Sequence, residues 1–153
     1  MSLIGETAAA QAADLIKDGS DASFVADVIE ASKTVPVIVD FWATWCGPCI
    51  AELENLKRIY SQYHQRGLEI VGVNLDDSRE GLQDFLSQHE LPWPVLHDAP
   101  QSPASHGHPL ARYYGITALP TLILVDREGR VVSTKARGEE LEKLLTELIG
   151  PVE

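Results

Sequence analysis

Two runs in this chain, VPVIVDFWA at 35–43 and LEIVGVNLD at 68–76, are dominated by β-branched and aliphatic residues at consecutive positions instead of alternate ones. Runs of that kind read as strands buried on both faces, in a sheet covered by helices. Pro36 stands near the start of the first, where a missing N–H does least harm to a ladder. The chain has 153 residues, enough for one domain with one sizeable core.

The segments around these runs alternate in type. Residues 1–13, rich in Ala, Gln and Thr, read as a flexible N-terminal arm ahead of a domain over 14–150. A short strand is expected at 14–17. In SDASFVADVIEASK, Ser20 or Asp21 can cap a helix in which Phe24, Val25, Val28 and Ile29 recur at helical spacing. A long helix is expected after residue 46, with Cys49, Leu53, Leu56, Tyr60 and Tyr63 as its inner stripe and Gly67 as its stop. Asp77 and Glu80 form a capping-box pattern opening a helix through Leu82, Phe85 and Leu86. WPVLHD reads as a strand, APQSPASHG as a loop, and PLARYYG as a short helix with Pro109 in its first turn. PTLILVD and RVVSTKA form a hairpin around DREG, and EELEKLLTELIG is a closing helix stopped by Gly150 and Pro151. The pattern predicts an α/β fold with a mixed sheet flanked by helices. Strands joined through helices should be parallel, and the final hairpin antiparallel.

Charge narrows the partners. The formal net charge of −11 argues against nucleic acid and anionic membrane surfaces, which both require Lys and Arg. No apolar run reaches the length of a membrane helix, and the first residues lack the basic-then-apolar pattern of an export signal.

The only two cysteines, Cys46 and Cys49, lie in WCGPC, between a strand and a helix. This spacing places Cys46 at the helix N-terminus, where unpaired N–H groups and the helix dipole favour a thiolate. Only the thiolate attacks a disulfide. Cys49, one turn further and more buried, would resolve a mixed disulfide instead of starting one. Gly47 keeps the approach open, and Pro48 suits the first helical turn. Other readings remain. A structural disulfide closing so short a loop constrains the unfolded chain little. A zinc site needs two more ligands, which His106 and His108 could supply. A c-type haem site needs His after Cys49, where Ile50 stands. The redox pair is the favoured reading. Asp40 interrupts an apolar strand, which makes it either a costly buried carboxylate able to accept the proton of Cys49 or an acid turned outward. Glu52 lies a helical turn beyond Cys49.

VDFWATWCGPC, YGITALPTLILVD and EGRVV together resemble the thioredoxin superfamily over nearly the whole chain. The opening strand and helix look like ordinary bacterial thioredoxins. From Cys46 on, the chain resembles the TlpA/ResA-like group, with an extra helix and strand in REGLQDFLSQHELPWPVLHD. The resemblance implies a thioredoxin fold and a cis-proline at Pro120, with Leu119 and Thr121 flanking a peptide groove. It implies that Glu52 assists cysteine protonation beside Asp40, that Trp42 and Trp45 shield the cysteine pair, and that Trp45 frames the docking surface. Two departures stand out. Glu54 occupies the place of a helix-kinking proline, and Gly72 that of a lysine near the buried acid.

These readings predict a thiol–disulfide oxidoreductase acting as a reductant. It would need no cofactor and no metal, and its partners would be proteins bearing disulfides or dithiols and an upstream thiol reductase. The protein should act as a monomer without membrane insertion. The rival functions are a thiol peroxidase, whose Pro- and Thr-containing loop motif is missing, and a non-catalytic metal- or apoprotein-binding module. The TlpA/ResA-like half implies the cell envelope if an export signal has been removed; the start of the chain implies the cytoplasm.

Overall fold

The computed structural model describes residues 16–18, 33–97 and 109–151. The expected N-terminal arm, the helix in SDASFVADVIEASK and the loop with His106 and His108 lie outside the described residues. Six described strands form one sheet: β1 (Ile16–Asp18), β2 (Val37–Trp42), β3 (Glu69–Asn74), β4 (Val95–His97), β5 (Thr121–Val125) and β6 (Val131–Ser133). Their order is β1-β4-β3-β2-β5-β6. β2, β3, β4 and β1 run parallel, while β5 is antiparallel to both β2 and β6. β1, at Ile16–Asp18, overlaps the strand expected at 14–17 and ends one residue later.

β2 is buried at every position. Alternate residues enter different halves of the core. Ile38 and Trp42 pack with Cys49, Leu53, Leu56, Trp93 and Leu141 on one face, and Val37, Val39 and Phe41 with Val71, Val73 and Leu96 on the other. This explains the consecutive apolar pattern: the strand has no solvent face. Leu56 is fully buried under this sheet. Leu56→Ala is expected to lower unfolding free energy by about 2–5 kcal/mol, through lost burial and the cavity left behind. Urea denaturation would show it as a fall in midpoint at constant slope.

Helix α1 spans Gly47–Tyr63, capped by Cys46 in extended conformation with Pro48 in its first turn. A 3₁₀ turn, His64–Arg66, follows it, and Gly67 at φ 104° closes the end in the left-handed region that glycine tolerates. Ile59, which the stripe left out, is fully buried, whereas Tyr60 is half-buried and its ring lies 5.5 Å from that of Trp93. Both positions flank a period of 3.6, so spacing alone does not choose between them; the sheet beneath does.

Helix α2 (Arg79–Gln88) begins one residue later than the capping box implied. Its cap is Ser78, whose Oγ accepts from Gly81 N at 3.1 Å. Glu80 then sits in the first turn, where the helix dipole favours an acid. α2 and β4 form the expected insertion, and β4 lies between β3 and β1. Helices α3 (Pro109–Tyr113) and α4 (Gly138–Ile149) complete the described elements. In the β5–β6 hairpin, Asp126 Oδ1 accepts from Glu128 N and Arg130 N. These bonds, that from Arg130 foremost, hold the Asp126 carboxyl below its ordinary range.

Candidate active site

Parallel strands β2 and β3 end at the same sheet edge, and antiparallel β5 begins there, with Thr121 paired to Phe41. Three segments therefore converge beyond that edge: the turn into α1, residues 75–76 after β3, and residues 116–120 before β5. Carboxyl ends of parallel strands are where α/β folds place their sites.

Cys46 and Cys49 form a disulfide, with Cα atoms 5.2 Å apart. Cys46 Sγ accepts from Cys49 N at 3.2 Å, so the sulfur faces the open N–H groups of the helix start. Cys49 is 1% exposed and Cys46 8%, which makes Cys46 the sulfur within reach of an incoming group. An open groove of about 530 Å³ runs past it, lined by Trp45, Cys46, Gly47, Pro48, Leu75, Ile116, Thr117, Ala118 and Leu119. Trp45 is 71% exposed and lines the groove, while Trp42 is wholly buried in the core cluster that also holds Cys46 and Cys49. The two tryptophans thus have different surroundings: Trp42 lies inside the core, and Trp45 offers an apolar face to solvent. The Leu119–Pro120 peptide is cis. Thr121 Oγ1 donates to Ala118 O at 2.6 Å, closing the turn around it.

Asp40 is 1% exposed, which excludes the outward-facing alternative. Strand alternation sets it between Ile38 and Trp42, on the face that packs against Cys49. Neither carboxylate oxygen has a hydrogen-bond partner among the described residues. Burial, and then the charge of Glu52, push its pKa up to about 8. Its neighbours in the ladder are Gly72 and Leu122, neither of which carries charge. Glu52 is half-buried and accepts from Asn55 Nδ2 at 3.2 Å.

A clamp not anticipated from sequence holds the turn before Cys46. Asp76 Oδ2 accepts from Thr44 N at 3.0 Å, and Asp76 Oδ1 accepts from Thr44 Oγ1 at 2.6 Å. Asp76 N donates to Asn74 Oδ1, and His97 Nε2 lies 2.8 Å from Asp76 O. The position of Asp76 just past a buried strand was the available signal; its partner, 32 residues away, was not readable. Asp76→Ala strands the Thr44 N–H and hydroxyl. It is expected to cost about 1–3 kcal/mol of stability and to slow thiol attack by Cys46, both measurable on the same purified variant. Leu75 and residues 116–118 are further groove residues that sequence reasoning did not single out.

Comparison with known proteins gives one consistent set of relatives. The family described as Redoxin matches residues 11–148. The thiol-disulfide oxidoreductase ResA of Bacillus thuringiensis subsp. konkukian is 31% identical over 116 residues, 76% of this chain and 62% of that protein. The chain thus spans somewhat under two thirds of such relatives. Among solved structures, the thioredoxin domain of a thiol-disulfide oxidoreductase from Bacteroides vulgatus superposes with a TM-score of 0.68 at 26% identity, covering 79% of this chain and 84% of that one. A thiol-disulfide oxidoreductase from Bacteroides fragilis superposes with a TM-score of 0.65 at 30% identity, covering 74% and 81%.

Proposed function

The chain belongs to the Redoxin family, with a thioredoxin fold, and from that premise we propose that it is a thiol–disulfide oxidoreductase that reduces disulfides in partner proteins. One observation carries the reading: Cys46 caps α1, takes the Cys49 N–H on its sulfur, and borders an open groove beside the cis Leu119–Pro120 turn.

In the reduced protein the Cys46 thiolate attacks one sulfur of a partner disulfide. That S–S bond breaks, one partner thiolate leaves, and a mixed disulfide forms. Asp40, as carboxylate, takes the proton of the Cys49 thiol. The Cys49 thiolate then attacks Cys46 Sγ, the mixed disulfide breaks, and the partner leaves with its second thiolate. The partner gains two electrons and the Cys46–Cys49 disulfide is restored. An upstream dithiol donor returns the protein to its reduced form. Glu52 acts on Asp40 through its charge, which opposes a second negative charge nearby. Trp45, Gly47 and Pro48 form one wall of the partner groove. Leu119 forms the other, and Pro120 and Thr121 hold its turn.

The test is reduction of insulin disulfides by the protein with dithiothreitol as electron donor, together with a redox titration against glutathione. Turnover that depends on Cys46 supports the reading. A Cys46 thiol that titrates in its ordinary range and exchanges no faster than free cysteine would refute it.

A further inference from the structure

Asp40 lies opposite Gly72 in the β2–β3 ladder. The absence of a side chain at Gly72 matters here: a Cβ at that position would stand 3.1 Å from Trp42 Nε1 and 3.6 Å from Trp93 Nε1. Gly72 N also donates to Pro94 O at 2.9 Å, which ties the inserted segment, and Trp93 with it, against this point. Trp42 and Trp93 are both fully buried, and neither indole N–H has a hydrogen-bond partner among the described residues. Asp40, on the same face, has two buried oxygens without partners among those residues. Two orphan donors therefore meet at a single glycine, and a carboxylate with orphan oxygens is its ladder partner on the same face. The other unpartnered buried nitrogens among the described residues, Asn74 Nδ2 and His97 Nδ1, belong to side chains already bonded to Asp76 at the strand end.

We propose that Trp42 and Trp93 are positioning residues for Asp40, their indole N–H groups donating to its carboxylate, directly or across one water, whenever it is charged. A carboxylate in apolar surroundings is held in its charged form only by donors or cations. Ladder neighbours Gly72 and Leu122 supply neither. From α1, Glu52 opposes the charge, and Tyr60, packed on Trp93, carries a pKa raised by burial and then by Glu69. Helix α2 contributes Phe85 against Trp42, with His89 stacked beyond it, and α4 contributes apolar Leu141 and Leu145. The indole donors are what make the base available to Cys49. The inference rests on Asp40 being that base.

The experiment follows the three indole N–H resonances of ¹⁵N-labelled oxidised protein against pH, alongside the Asp40 carboxyl carbon. The Trp42 and Trp93 signals should shift with the Asp40 midpoint and stop shifting in Asp40→Asn, while exposed Trp45 should not follow it. A Trp93 signal that is flat through the Asp40 titration overturns the proposal, and needs no variant to do so. In Trp93→Phe, which keeps a ring and loses the N–H, the Asp40 midpoint should rise by about one pH unit, a factor of ~10 in acidity. With Ellman's reagent, the second thiol-release phase should slow by a similar factor near neutrality and recover above the shifted midpoint. Equal slowing at every pH would mean packing alone and would also overturn it. If Asp40→Asn leaves that second phase unchanged, the base assignment itself fails, independently of the indole resonances.

Discussion

Asp40→Asn should make the oxidised protein more stable in mild alkali and leave it nearly unchanged in acid. Asp40 in the folded chain keeps its proton up to about pH 8, whereas the unfolded chain releases it near 3.8. Between those values the folded state binds one more proton than the unfolded state, so the Asp40 contribution to stability falls as pH rises. It is fully present below about pH 3.8 and lost by about pH 8. At 1.36 kcal/mol per unit, the penalty above pH 8 is about 6 kcal/mol. Asparagine has a similar volume and never ionises, so it escapes that penalty. Urea denaturation across the range should show the two proteins diverging with rising pH, and parallel curves would refute the assignment. Glu52→Gln should narrow the gap slightly, because burial is the larger cause and Glu52 the smaller. The group proposed to serve catalysis is thus one whose charged form opposes folding.

The second large effect concerns the cysteines, which should fail in different ways. Cys46→Ser removes the nucleophile and should lower disulfide reduction by about three orders of magnitude or more, in line with losses of catalytic nucleophiles elsewhere. Cys49→Ser retains the nucleophile. It should attack once and stop, leaving a mixed disulfide with the partner that non-reducing electrophoresis and mass spectrometry can resolve. The asymmetry follows from position: Cys46 is the sulfur on the groove and Cys49 the one inside the core. Equal trapping by both single variants would overturn the order of attack.

Much of this site was legible because it rests on local relations. WCGPC between a strand and a helix places one cysteine at a cap and the next a turn along, and neither step needs a distant residue. The parallel strands and the closing hairpin followed from consecutive apolar runs and a turn signal. The cap of α2 was misplaced by one residue because Asp77 and Ser78 are both good caps, and hydrogen-bond geometry separates them. Ile59 and Tyr60 were confused for a similar reason: each fits the helical stripe, and the sheet decides.

The sequence by itself determined the chemistry available: two sulfurs and a carboxylate interrupting an apolar strand. Periodicity alone left open whether Asp40 faces inward. Only the tertiary structure decided that the acid is enclosed with Cys49, that Asp76 holds Thr44 across 32 residues, and that Trp93 from the inserted segment meets Trp42 at Gly72. Those relations join residues far apart in the chain. They exist because the β2–β3 and β3–β4 ladders bring the elements into register, which no local pattern encodes.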